Sequence, residues 1–333
     1  MSKVFDLWKE IGGAFGPSGR EDAVREAIAA AAGDYVDDIT TDALGNLICR
    51  KKGSGKKLLF AAHMDSIGVV ATYIDEKGFI RFSQVGGLFH GDLINIQVRF
   101  ANGTRGVISY EEKPAFKDLT MDNLFIDIGA SSREDAARMV QIGDFAVFEA
   151  LRFEQNGVLC GPYLDNRIGC VTLLLMLEQL SGQQSENDLY FVFTAQEEVG
   201  LRGAGAAAFA VEPDVAIAVD VTDTGDLPER KTPMAVELGG GPAVKVMDRS
   251  VICTPAVCAA LERAAVDCGI SVQREILQFG GTDTAMLQKT GAGVQVGAVS
   301  IPTRYIHSPS ELCTVSDVEQ AAALLARFAV TAQ

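Results

Sequence analysis

The chain has 333 residues, 48% of them hydrophobic and 22% charged, with a formal net charge of −15 at pH 7. This is ordinary globular composition, enough for one large domain or two unequal ones. A surface this acidic repels phosphate backbones and anionic lipid, so neither nucleic acid nor membrane is an expected partner. An acidic substrate stays open, because a local pocket can oppose the global field.

Two amphipathic segments, residues 4–15 and 21–32, read as helices joined by the turn Gly16-Pro17-Ser18-Gly19-Arg20. Two strands with a Gly-rich turn follow, then a buried strand over residues 57–62 that runs into His63-Met64-Asp65. From residue 67 to 157 short β-rich runs (VVATYI, FIRFSQV, LINIQVRF, RGVISY, DFAVFEALRF) alternate with Gly, Asn and Asp turns. One helical stretch, residues 132–140, interrupts them. This segment is expected to be an inserted, small β-barrel-like domain. The α/β pattern resumes at Leu164 with a strong helix, then the strand DLYFVFTAQ, the small-residue helix GLRGAGAAAFA and the strand VAIAVDVT. Another helix, a strand and loop, the strand VQVGAVSIPT and a terminal helix complete it. Residues 1–66 and 158–333 are therefore expected to form one discontinuous α/β domain, a mostly parallel sheet flanked by helices.

The seven cysteines lie at 49, 160, 170, 253, 258, 268 and 313, without a CxxC pair. An odd, scattered set fits reduced thiols in a reducing compartment. The start MSKVFDLWKE lacks the apolar run of a signal peptide, and no stretch suits a bilayer span, so a cytoplasmic address is expected.

Four apolar strands each stop at a candidate ligand. KLLFAA ends at His63 and Asp65; LYFVFT runs into Glu197 and Glu198; VAIAV ends at Asp220; VQVGAVSI leads to His307. Asp165 opens a helix after a Gly-Pro turn. Sites in open α/β sheets form outside the carboxyl ends of the strands. Each residue also has a plain structural reading: Asp165 and Asp220 as caps, Asp65 as a turn residue, either histidine as a satisfied core group. Two of only three histidines fall at these positions, and His90, in the β-rich segment, is read as structural. Histidine with carboxylate and no cysteine suits Zn²⁺, Co²⁺ or Mn²⁺ in a catalytic site. The adjacent Glu197 and Glu198 would repel near a sheet end unless a cation relieved them. In extended backbone neighbours point to opposite sides, so one could ligate while the other faces a reacting water.

The strings AAHMDSIGVV, LDNRIGC, TAQEEVGLRGA, AVDVTDTGD, GGTDTAM and IPTRYIHSPSE, in this order, resemble the M42 metallopeptidases. These are cytoplasmic aminopeptidases of zinc-peptidase fold that assemble as dodecamers built from dimers. The resemblance implies two divalent metal ions, zinc or cobalt foremost and manganese as a further option, acting on peptide substrates. It implies Asp165 shared between the ions, His63 and Asp220 completing one site, and Glu198 and His307 the other. Glu197 becomes the general base and acid that serves a metal-activated water, and Asp65 orients His63. It makes the insert, including the segment EEKPAFKD, an assembly and lid element. Residues 274–284 are a candidate wall of the substrate pocket. Ser66 and Asn166 stand where the family usually carries acids, and neither change removes an expected ligand.

Rival readings differ in chemistry. A glycosidase needs two carboxyls flanking one sugar bond, which adjacent glutamates pointing apart cannot do. A metal-dependent deacylase acting on small N-acyl substrates would use the same ligands and differs in needing no free amine. A non-catalytic binding protein predicts a missing ligand, and all are present.

Overall fold

A computed structural model of the chain describes residues 1–332 apart from Pro114, Gln184, Arg230 and Lys231. Pro114, inside the EEKPAFKD segment singled out above, thus lies outside the described residues. The chain opens with helices α1 (Lys3–Gly13) and α2 (Asp22–Ala32). The Ser2 hydroxyl caps α1 by accepting the Phe5 amide at 3.1 Å, and its apolar face, Val4, Phe5, Trp8 and Ile11, is buried. Strands β1 (Asp38–Thr41), β2 (Leu47–Lys51) and β3 (Lys57–His63) follow.

The next stretch holds β4 (Gly68–Ile74), β5 (Ile80–Val85), the one-turn helix α3 (His90–Leu93), β6 (Gln97–Phe100), β7 (Arg105–Tyr110) and β8 (Leu124–Asp127). Helix α4 (Arg133–Met139) and β9 (Phe145–Glu149) end it. These strands close into a barrel in the order β4-β5-β8-β7-β6-β9. Alternate residues fill its interior, among them Val69, Ile80, Val98, Ile108, Ile126 and Phe148.

The remainder comprises β10 (Phe153–Gln155), β11 (Val158–Gly161), α5 (Leu164–Gln179), β12 (Asp188–Thr194), α6 (Arg202–Val211) and β13 (Val215–Thr222). Then come β14 (Ala243–Met247), α7 (Pro255–Asp267), β15 (Gln273–Ile276), α8 (Thr284–Lys289), β16 (Gln295–Arg304), β17 (Glu311–Thr314) and α9 (Val315–Thr331). The large sheet runs β1-β2-β12-β3-β13-β16-β17-β11-β10, with β14 on β16 and β15 on β14. Its centre, β12-β3-β13-β16, is parallel, and antiparallel strands finish both rims. β10 joins this sheet, although its residues fell within the span read as the insert. Asn156 and Gly157, at φ 53 and 75, make a tight hairpin that pairs it with β11.

The central strands are buried on both faces, and alternation decides which side chain goes where. From β3, Leu58, Phe60 and Ala62 pack under α5 and α9, while Leu59 and Ala61 face the other way. That second face is built of small residues, Ala61, Ala216 and Ala218, against Ala204, Ala207 and Ala208 of α6. Short side chains on both surfaces let helix and sheet approach closely. Large ones fill the first face, where Phe60 stacks on Phe191 at 5.6 Å between ring centroids and each buried Leu, Ile or Phe contributes about 1.5–3 kcal/mol. No helix of the described residues is long and apolar enough to cross a membrane.

Candidate metal centre

The parallel strands deliver their carboxyl ends to one edge of the sheet. His63 is the last residue of β3, Asp220 lies near the end of β13, and Glu197 and Glu198 follow β12. His307 follows β16, and Asp165 sits at the start of α5. All the residues that sequence reasoning singled out at strand ends come together here.

Asp165 stands between the two imidazoles. Its Oδ1 lies 3.1 Å from His63 Nε2 and its Oδ2 lies 3.2 Å from His307 Nε2. Asp220 Oδ1 is 3.7 Å from His63 Nε2 on one side, and Glu198 Oε2 is 3.2 Å from His307 Nε2 on the other. Glu197 Oε2 is 3.8 Å from His63 Nε2. Donor atoms of His63, Glu197 and Asp220 all fall within 4.8 Å of one another, as do those of His63, Asp165 and Glu198.

Asp65 lies beneath, fully buried. Its Oδ1 is 3.4 Å from His63 Nδ1 and accepts the Glu197 amide at 2.9 Å; its Oδ2 accepts the Glu198 amide at 3.2 Å and the Ser18 hydroxyl at 2.6 Å. One carboxylate therefore braces a histidine and the backbone of both glutamates. The two glutamates are not on an extended strand, contrary to the sequence argument. β12 ends at Thr194 and Gln196 adopts φ 57, so the chain turns and both side chains reach into the same site, each toward a different histidine. Left-handed backbone recurs at Tyr163, Tyr305 and His307, with φ of 68, 60 and 65. Such conformations cost roughly 1–3 kcal/mol each and persist only where the surroundings impose them.

Four site residues were not singled out by sequence reasoning. Asp283, buried in the GGTDT segment, accepts the Thr194 hydroxyl at 2.5 Å behind Glu197. Glu311 accepts the backbone amides of Asp165 and His307. Gly86 and Gly87, from the barrel, pass so close that a Cβ would lie 3.2 Å from Glu198 Oε2 and 3.3 Å from His307 Nδ1 respectively. The departures from the family pattern have structural uses: the Ser66 hydroxyl donates to the Gly16 carbonyl at 3.2 Å, and Asn166 Nδ2 donates to the Val219 carbonyl at 2.8 Å. His90, read as structural, sits in α3 and belongs to neither donor group.

The electrostatics are those of crowded, buried anions. Burial pushes Asp220 up to about 8, with Asp165 adding and His63 opposing. It pushes Asp283 up to about 6 and Glu197 well above the carboxylate range. Burial works against His307, yet Glu198 and Asp165 outweigh it and raise the imidazole to about 12. Asp165 resists burial, and its two histidine partners hold it below its ordinary value. Among the described residues, none of these carboxylates pairs with lysine or arginine.

This donor set fits divalent cations. Asp165 Oδ1 and Glu198 Oε1 are buried with no hydrogen-bond partner, a costly state for a carboxylate oxygen unless a cation faces it. The ligand types are hard to borderline oxygen and imidazole nitrogen, with no thiolate. The cluster opens into a cleft of 810 Å³ whose outer wall includes Leu201, Thr222, Arg249, Phe279 and Thr282. Leu277 and residues 279–282 line it, within the stretch that sequence reasoning marked as a wall.

A buried imidazole–carboxylate cluster on the carboxyl edge of a helix-covered sheet, under an inserted barrel, defines a candidate metal site of hydrolase type. The family model of the M42 glutamyl aminopeptidases matches residues 45–324, and the chain belongs to the M42 peptidase family. A relative from Acetivibrio thermocellus is 51% identical over 323 residues, 97% of either chain. An aminopeptidase from the archaeon Desulfurococcus kamchatkensis superposes with a TM-score of 0.94 at 36% identity, covering 99% of this chain and 95% of that one. The TET1 peptidase of Pyrococcus horikoshii, which can assemble into a tetrahedron or a large octahedral shell, matches with a TM-score of 0.88 at 32% identity, over 99% and 100% of the chains.

Proposed function

We propose that this protein is a metal-dependent aminopeptidase that removes N-terminal residues from peptides. The observation that carries the reading is Asp165, whose two oxygens face His63 and His307 at 3.1 and 3.2 Å. It would be shared by two cations, His63 and Asp220 holding one and Glu198 and His307 the other. Two divalent cations, of zinc, cobalt or manganese, would supply Lewis acidity to a water and to the scissile carbonyl.

The chain's own groups do the rest. Glu197 is the proton carrier: buried in the cleft with its Oε2 3.8 Å from His63 Nε2, it takes a proton from the attacking water and returns it to the leaving amine. Asp65 holds the Glu197 and Glu198 amides and so fixes where both carboxylates point. The Gly86–Gly87 loop covers one flank. The barrel, spanning most of residues 67–157, serves as assembly and lid element. Exposed Tyr73, Phe89, Phe116 and Ile142 on it suit burial between subunits of a homo-oligomer, and a matched TET1 structure described as a dodecamer supports that assembly. The seven cysteines are all free, which fits a cytoplasmic setting.

The deciding experiment compares unblocked and N-acetylated peptides on chelated protein, before and after adding Zn²⁺, Co²⁺ or Mn²⁺. Stepwise, metal-dependent loss of N-terminal residues from the free peptides alone is expected. Turnover of the acetylated set would move the assignment to a deacylase, and no turnover with any metal would defeat it.

A further inference from the structure

Glu311, the first residue of β17, is 1% exposed and forms no ion pair with lysine or arginine among the described residues. Its side chain spans two segments far apart in sequence. Oε1 accepts the His307 amide at 2.9 Å and Oε2 accepts the Asp165 amide at 2.9 Å. Both amides need such a partner. Asp165 N lies in the opening turn of α5, where backbone donors lack intrahelical acceptors, and Asp165 and Asn166 depart from helical φ/ψ. His307 N belongs to a loop residue at φ 65. The strand that carries Glu311 is itself fixed on both sides, opposite Gly161 of β11 and, one residue on, opposite Arg304 of β16.

We infer that Glu311 is a positioning residue: its carboxylate sets the spacing and aim of Asp165 and His307, and so builds the half of the metal centre that His307 and Glu198 complete. This rests on the two-cation reading above. The geometry is direct. The two oxygens of one rigid carboxylate fix two amides relative to each other, and the side chains on those residues meet at 3.2 Å. Asp65 does the same for the amides of Glu197 and Glu198. Each pair of ligand segments thus has one buried carboxylate behind it, in the manner of outer groups that orient ligands. Glu311 offers both of its oxygens as acceptors, whereas a glutamine at 311 can accept only through its single oxygen.

The test uses the full-length protein with Glu311→Gln and Glu311→Asp, the second keeping both carboxyl oxygens on a shorter arm in case the first does not fold. Zn²⁺ binding is measured by equilibrium dialysis, Co²⁺ coordination by its visible absorption, and melting of the metal-free protein in parallel. Wild type is expected to bind two ions. In the variants the site that His307 and Glu198 complete weakens by about 10–100-fold, the other, which depends on Glu311 only through the shared Asp165, weakens less, and the Co²⁺ spectrum of the more weakened site changes. Two sites of wild-type affinity and unchanged spectrum, even with a lowered melting temperature, would make Glu311 merely structural and overturn the inference alone. Equal weakening of both sites would overturn it too. A wild type that binds fewer than two ions defeats the two-cation reading and this inference with it.

Discussion

Lys245 offers the sharpest test of the physical account of the fold. It is fully buried on β14, directly opposite Glu275 of β15, and its ammonium pairs with Glu275 and lies 3.4 Å from Asp248 Oδ2. Replacing it with methionine keeps the stem and removes the charge. Asp248 would stay satisfied, since its Oδ1 accepts the Ser250 and Val251 amides and the Ser250 hydroxyl and its Oδ2 accepts the Thr282 hydroxyl. Glu275 would not: its Oε2 already has no hydrogen-bond partner, and Oε1 would lose the one it has. Breaking a buried pair by removing one partner costs about 3–5 kcal/mol, a large share of the roughly 5–15 kcal/mol that holds a domain together.

With a urea m-value near 3 kcal/mol/M, Lys245→Met should lower the unfolding midpoint by about 1–2 M. Lys245→Met with Glu275→Leu removes both charges and should recover most of that loss, because an apolar pair of similar volume is often no worse than the ion pair. The pH dependence follows from the same geometry. Burial opposes the Lys245 charge, but Glu275 and Asp248 outweigh it and hold the ammonium above its usual range. Its stabilisation is therefore complete below the free-lysine pKa and fades as pH rises through the elevated folded value. Denaturation by urea, followed by circular dichroism across pH, reads all of this. A single-variant shift under about 0.3 M, or a double variant as weak as the single, would refute the reasoning.

Glu197→Gln should keep metal binding within a few fold while lowering kcat by roughly 10²–10⁴, the usual worth of a general base, as steady-state kinetics beside dialysis would show. Gly87→Val should weaken Zn²⁺ binding at the His307 side: even a Cβ lies 3.3 Å from the ring and the added methyls must displace it, so unchanged affinity would contradict the contact. Asp226, gripped by Arg304 at 2.6 and 3.2 Å, is held down to about 2, below the ordinary aspartate range. Its contribution, about 1–2 kcal/mol after allowing for partial exposure, is complete above the free-aspartate pKa and should vanish as pH falls toward 2; Arg304→Ala should flatten that acid limb of the stability curve.

Much of this site was legible because the fold writes it into a simple pattern. An apolar strand buried on both faces carries a carboxylate at low cost only near its end, so the first polar residue after each apolar run marks the edge where ligands gather. His63 and Asp220 follow that logic directly. Short strands carry no such signal: β8, β14 and β17 have four or five residues each, and side chains elsewhere decide that they pair. The opposed-faces argument for Glu197 and Glu198 assumed extended backbone, and Gln196 at φ 57 breaks it. Glu311 and Asp283 stayed hidden for another reason. Their partners are an amide or a hydroxyl on distant segments, and nothing in a sequence marks which backbone donors lack acceptors.

The barrel enters the chain between Asp65 and Asp165, the residue that braces one half of the cluster and the residue shared by both halves. Ile67 and Tyr163, two residues from each, are both buried in the barrel's own core. The Tyr163 hydroxyl bonds to the Phe148 backbone of β9, while Tyr163 itself takes the left-handed turn that presents Asp165. The Gly86–Gly87 loop adds a third attachment, against Glu198 and His307. The insert is thus fastened to the site at three separate points. Packing forces on the barrel act on Asp65 and Asp165 through two residues of backbone and on His307 through the Gly87 contact. Where subunits associate through the barrel, assembly and ligand geometry would be set by the same few segments.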